Sequence, residues 1–215
     1  MPKLRLLSLV ACAWPGVARA QVNVEPLRQQ LAQDGWGGRV QASVATYAGN
    51  TQGVILGSAG FVGARGQRHV AYAVLSGDYA RLNGAVSVAK WFAHARYNYQ
   101  LSSALWWEVY GQIESDRFRR VALRELAGSG PRVALLRLPS LELFYGVSYM
   151  YEHKAFSTDQ LDTDGGAHRL SNYLAVTAKA QERIVLSSVT YVQPRLGRPR
   201  DVDLQIGRAS CRERV

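Results

Sequence analysis

Residues 104–114 read ALWWEVYGQIE, and this stretch decides the fold class. Its odd positions, such as Leu105 and Val109, are mostly apolar. Its even positions include Glu108 and Gln112. Successive side chains of a β-strand point to opposite faces of the sheet. A period of two therefore predicts a strand with one apolar face and one polar face.

The same period of two continues along most of the chain after Trp36, so the fold class is predicted to be all-β. Eight further strands and a fragment are predicted at 39–47, 52–63, 69–80, 88–99, 119–137, 141–152, 169–179, 184–192 and 200–205. Short connections alternate with more polar and mostly longer ones. This alternation is typical of an antiparallel up-and-down outer-membrane β-barrel.

The first 20 residues have the layout of a secretory signal. Lys3 and Arg5 precede an apolar stretch at 6–14, and Ala-Arg-Ala at 18–20 forms a small-x-small cleavage site. Residues 1–20 are therefore predicted to be a cleaved signal peptide, which implies export.

A short helix is predicted between the signal and the sheet, at 21–35. Pro26 suits a first helical turn and Gly35 can end it. Because the N-terminus lies on the side of the short turns, this helix is expected in the periplasm.

The last ten residues, 206–215, read IGRASCRERV and abandon the pattern of everything before them. They are interpreted as a non-native tail, which leaves 36–205 as the barrel. Removing both ends lowers the formal net charge from +10 to +5 and removes both cysteines. The remaining charge is too small and too scattered to indicate nucleic-acid binding, and no disulfide framework is expected.

A membrane barrel is favoured over a soluble one by strand length and by the placement of aromatic and charged residues. Most predicted strands reach the roughly 9–11 residues that cross a bilayer. Aromatic residues cluster near strand ends, where interfacial girdles form. The predicted girdle comprises Trp91, Tyr97, Tyr99, Trp106 and Trp107. The open alternative is a soluble exported β-barrel that binds an apolar ligand.

The polar face holds the candidate functional residues, which would point into an aqueous lumen. They are Lys90, His94, Arg96, Glu108, Gln112, Glu114, Arg124 and Ser148. In a narrow barrel they would pair and stiffen the wall, and in a wider one they would line a path for small solutes. Ser148 and His94 share this face, so a lipid hydrolase is a further alternative. Because no spacing requires that pair, no catalytic residue, metal ligand or cofactor is assigned.

Several short motifs resemble the salt-induced outer-membrane protein family, also called domain of unknown function 481. They are Gly49-Asn50-Thr51, Arg96-Tyr97-x-Tyr99, Asp116-Arg117-Phe118, Arg124, Gly128-x-Gly130 and Tyr191-x-Gln193-Pro194. The resemblance implies a Gram-negative outer-membrane barrel of roughly twelve strands, of which nine to ten are present here. It implies no activity.

The expected function is therefore that of an outer-membrane barrel with a structural role or with passive passage or binding of small polar solutes. The expected partners are outer-membrane lipid, the barrel-assembly machinery and those solutes, with no nucleic acid. The protein is not expected to be an enzyme.

Overall fold

The fold is a single antiparallel sheet of ten strands, seen in a computed structural model that describes residues 31, 34–156, 165–180 and 184–212. The strands are β1 (Gly35–Tyr47), β2 (Gly53–Gly66), β3 (His69–Leu82), β4 (Ala85–Gln100), β5 (Leu105–Asp116), β6 (Val121–Leu138), β7 (Leu141–Phe156), β8 (Gly165–Ala180), β9 (Ile184–Arg195) and β10 (Arg198–Arg212). A short 3-10 turn, η1 (Arg117–Arg119), connects β5 to β6.

The predictions of an all-β class and of nine to ten antiparallel strands are confirmed. Every predicted strand is present, and most are longer than the sequence pattern suggested. The fragment at 200–205 belongs to β10, which also includes residues 206–212 of the segment set apart from the fold. The predicted signal peptide and nearly all of the predicted helix lie outside the described residues. Leu31 lies in a turn.

The strands follow one another in chain order, so each one pairs with its sequence neighbours. The sheet is not closed within the described residues, because β1 and β10 are its two edges. None of these residues lies in a helix long and apolar enough to cross a membrane.

The connections lie at two ends of the sheet. We call the end where β1 begins the N-terminal end; its connections are 67–68, 101–104, 139–140 and 181–183. The opposite, far end has connections at 48–52, 83–84, 117–120, 157–164 and 196–197.

The expected contrast between short and long connections is therefore only partial. Two far-end connections, Asn83-Gly84 and Leu196-Gly197, contain just two residues. Asn83 and Gly84 both have positive φ, at 49° and 79°. Two central residues with positive φ form the tight turn that best matches the twist of a hairpin.

The two faces of the sheet differ sharply in exposure. On β5, Glu108 is 2% exposed and Gln112 is also buried, whereas Val109 is 47% exposed. We call the buried side the inner face and the other the outer face. Apolar residues on the outer face and charged residues on the inner face reverse the arrangement of an ordinary soluble core.

The inner face is buried because the sheet curls. A guanidinium nitrogen of Arg124 on β6 lies 4.0 Å from a carboxylate oxygen of Asp203 on β10. Four strand spacings would put these strands about 19 Å apart in a flat sheet. The contact is therefore possible only if the sheet bends toward its inner face.

Glycines allow tyrosine rings to lie flat against the inner wall. A Cβ atom at Gly128 would lie 2.5 Å from the Tyr110 ring, and one at Gly146 would lie 2.2 Å from the Tyr173 ring. Each glycine is directly opposite its tyrosine on the neighbouring strand. An aromatic ring that covers a cross-strand glycine restores the packing the missing side chain would have supplied.

Candidate functional site: ion clusters on the inner face

The first cluster is centred on Glu108, nearer the N-terminal end. Its two carboxylate oxygens lie 3.6 Å from guanidinium nitrogens of Arg96 and Arg132. The Tyr173 hydroxyl donates a hydrogen bond to the same carboxylate. The Arg132 guanidinium also stacks 4.1 Å above the Phe144 ring. Two arginines thus share one carboxylate, so this cluster has a formal charge of +1. Aromatic rings pack against the arginines.

The second cluster is centred on Glu152, nearer the far end. Arg124 and Arg169 each donate through Nε to a different Glu152 oxygen, at 2.7 and 2.8 Å. The Lys154 ammonium lies 3.1 Å from Glu152 Oε1. Three cations therefore surround one carboxylate that is 1% exposed.

Further carboxylates balance those cations. Arg124 donates to Glu114 at 2.9 Å, Lys154 lies 3.5 Å from Asp203, and Arg169 lies 3.2 Å from Asp201. Buried charges are tolerated when they are paired and hydrogen-bonded. The second cluster meets that condition, because its residues on β5, β6, β7, β8 and β10 pair with one another.

An apolar layer separates the two clusters. Tyr110, Leu126 and Met150 form one buried group, and Met150 is 0% exposed. On β6, Leu126 lies between Arg124 of the second cluster and Arg132 of the first. The interior is therefore filled in layers, with charged and apolar side chains alternating along the strands.

Most of the predicted lumen residues lie on the inner face. His94, Arg96, Glu108, Gln112, Arg124 and Ser148 are buried there, and Glu114 is partly buried beside Arg124. Lys90 differs, because its side chain is about half exposed near the far end. Its ammonium lies 3.1 Å from Asp78 and takes no part in either cluster.

The predicted aromatic girdle is divided between the two faces. Trp91, Tyr97 and Trp107 are exposed on the outer face, and Tyr99 is partly exposed. Trp106 is only 8% exposed and packs edge-on against Phe144 on the inner face. Adjacent strand residues point to opposite faces, so Trp106 and Trp107 cannot belong to one outer band.

Several residues of the two clusters are absent from the set of candidates predicted from the sequence. They are Arg132, Glu152, Lys154, Arg169, Tyr173, Asp201 and Asp203. Arg132 could have been found, because it lies eight residues after Arg124 and so shares its parity on β6. Asp203 could not, because its place beside Arg124 depends on how far the sheet curls.

Ser148 and His94, the pair of the hydrolase alternative, form no hydrogen bond with each other. The Ser148 hydroxyl is 2.8 Å from the Tyr110 hydroxyl. The His94 ring stacks against the Tyr110 ring with centroids 6.4 Å apart. An activated serine needs a base within hydrogen-bonding reach, whereas the Ser148 hydroxyl is hydrogen-bonded to a tyrosine.

The inner face also contains a polar side chain with unused hydrogen-bonding capacity. Both amide atoms of Asn98 on β4 are buried and have no hydrogen-bond partner among the described residues. Buried polar groups are normally satisfied by protein or water. Asn98 could therefore bind a water molecule or a small polar solute.

A comparison with family models matches residues 40–205 to DUF481, described as a protein of unknown function. The chain belongs to the DUF481 family. The match includes both ion clusters on β4–β10. Curated proteins and solved structures yielded no match.

Proposed function

We propose that this DUF481 protein is a bacterial outer-membrane β-barrel whose outer face contacts lipid and whose inner face is a charged, side-chain-filled core. The observation that carries the proposal is the reversed polarity of the sheet, with Val109 outside and Glu108 inside. A soluble barrel that binds an apolar ligand would need a continuous apolar interior, whereas two ion clusters occupy the inner face around β5–β8.

The proposed role is structural, with binding of small polar solutes at the inner face, and free passage is disfavoured. Residues of β6, β7 and β8 meet around Glu152, and the layer at Met150 fills the space between the clusters. Wide channels leave the centre open to water. Passage of solutes would require these side chains to move apart.

The proposal places a requirement on the sheet edges. Lipid offers no hydrogen-bond partners, so the outward backbone groups of β1 and β10 would need pairing in the membrane. Substitutions on the outer face report on lipid contact, and their effect does not depend on how the backbone groups of those edges are paired.

The test places arginine at two outer-face positions of different depth. Leu174 lies in the middle of β8, and Leu138 is the last residue of β6; both are exposed on the outer face. In a bilayer, Leu174→Arg should lower the free energy of unfolding by about 2–4 kcal/mol and Leu138→Arg by about 0–1 kcal/mol. Urea titration of protein refolded in vesicles gives both values.

A small and equal effect of the two substitutions would contradict a lipid-facing outer surface. Fractionation supplies a second readout on the unmodified chain, which should resist extraction by high salt and require detergent. Release by salt alone would favour the soluble alternative.

A further inference from the structure

A groove crosses the outer face at the far end of β2–β5, next to η1. It has a volume of about 580 Å³, and its lining includes Leu56, Gly77, Tyr79, Ala89, Trp91 and Arg117. Gly77 is directly opposite Trp91, and Tyr79 is opposite Ala89. Small residues thus alternate with large ones across the strands, which leaves a depression with aromatic walls.

The η1 turn and the residue after it carry three arginines, of which Arg117 lines this groove. Arg117, Arg119 and Arg120 are exposed, and none forms an ion pair with another described residue. The neighbouring Asp116 carboxylate accepts hydrogen bonds from the backbone N–H groups of Phe118 and Arg119, at 3.0 and 3.1 Å. The turn is therefore held in shape by Asp116, and within the described part of the chain no carboxylate competes with an external anion for its guanidinium groups.

Exposed aromatic rings lie at the same level as these cations. Trp91 and Tyr79 are exposed within the groove, and Phe118 of η1 is 55% exposed. Tryptophan and tyrosine favour the headgroup level of a membrane. The groove thus combines an apolar floor, an aromatic wall and a cationic end.

We propose that this groove binds one anionic membrane lipid, with an acyl chain over Gly77 and Ala89 and the headgroup phosphate beside Arg117. Guanidinium groups bind phosphate through paired, charge-assisted hydrogen bonds. A free phosphate would use the arginines without the apolar floor, so the lined groove favours a lipid. The inference rests on the proposed membrane location and adds a ligand site to it.

The test compares two lipids with the same acyl chains, phosphatidylglycerol and phosphatidylcholine. Each is titrated against the full chain in micelles of a neutral detergent, and bound lipid is counted by native mass spectrometry. Both headgroups contain the phosphate, but phosphatidylcholine also carries an ammonium group that the η1 arginines would repel. Phosphatidylglycerol should therefore bind about tenfold more tightly.

Two variants separate the headgroup from the groove. The triple variant Arg117→Gln, Arg119→Gln and Arg120→Gln should lose the preference for phosphatidylglycerol. Gly77→Leu should weaken the binding of both lipids, because a Cβ at Gly77 meets nothing closer than the Ser58 hydroxyl at 3.4 Å and a longer side chain can fill the groove. Arg68→Gln, an exposed arginine at the N-terminal end, is the matched control and should change nothing.

Three results would overturn the inference: equal binding of the two lipids, unchanged binding by Gly77→Leu, or displacement of phosphatidylglycerol by equimolar inorganic phosphate. Membrane retention of the same wild-type sample is measured in parallel. If the protein is retained in membranes but shows no lipid preference, only this inference fails. If salt alone releases it, the proposed function fails as well.

Discussion

The side chains of β6–β8 and of β1 follow the same period of two, but those on the inner face are buried in β6–β8 and exposed in β1. Around β7, Glu152 and Met150 are almost completely buried. On β1, nearly every residue is exposed on both faces, including Gln41 and Ser43 on the inner side. The difference shows that alternation predicts which way a side chain points, whereas burial depends on neighbours across the curled sheet.

A second contrast concerns how the interior is filled. Around β6–β8 the filling is largely ionic. Near the N-terminal end of β2–β4 it is an apolar cluster in which Leu31 packs with Phe61 and Tyr72. Leu31 occupies the space left by Gly63, where a Cβ would come within 2.5 Å of its methyl group. Substitutions in the two regions should therefore lower the free energy of unfolding by different amounts.

The largest effect is expected from Glu152→Gln. This change leaves Arg124, Lys154 and Arg169 without the carboxylate that joins them. Removing one partner of a buried ion pair costs about 3–5 kcal/mol of unfolding free energy. The lower end of that range is expected because each cation keeps one other carboxylate partner, and urea titration of the refolded protein measures it. Glu125→Gln on the exposed side of β6 is the matched control, with a change within about 0.5 kcal/mol. Equal effects of the two would mean that the ionic interior does not hold these strands together.

A smaller effect is expected from Leu31→Ala, which tests the apolar filling. Removing a buried leucine side chain costs about 2–5 kcal/mol. The lower half of that range is expected because this cluster lies at the end of the sheet, where neighbours can relax into the space. The same titration measures it, and a neutral result would remove Leu31 from the core.

Tyr173→Phe should cost less again, because it removes the hydrogen bond to Glu108 and a longer one from Arg132, at 3.3 Å, and keeps the ring over Gly146. The Tyr173 hydroxyl donates to the buried Glu108 carboxylate, so about 1–3 kcal/mol is expected. Tyr145→Phe provides the control, since its hydroxyl bonds to Asn172 on the exposed face. A cost for Tyr145→Phe as large as that for Tyr173→Phe would show that burial does not strengthen this contact.

The smallest effects are expected when a glutamine is replaced in the buried interior and when one is replaced on the exposed inner side of β1. Gln112 on β5 is buried and donates to Glu114 at 3.3 Å, whereas Gln41 on β1 is exposed. Gln112→Ala should cost about 1 kcal/mol and Gln41→Ala less than about 0.5 kcal/mol. If Gln41→Ala costs as much as Gln112→Ala, then β1 is covered on its inner side in the folded protein.

The amino-acid order was sufficient to predict the direction of most side chains. Along β5, strict alternation places Glu108 and Gln112 on one face and Val109 on the other, because the backbone geometry of a strand enforces a period of two. The same alternation places Trp106 with Glu108 and apart from Trp107, which contradicts the prediction that both tryptophans belong to one girdle.

The curl of the sheet decided what those side chains meet. Tyr173 reaches Glu108 from three strands away, and Arg124 reaches Asp203 from four. Such partners have no fixed spacing in the chain, because their distance depends on accumulated twist and bending over many strands. For this reason the sequence could indicate the faces of the sheet, while the ion clusters and the exposure of β1 emerged only when all ten strands were assembled.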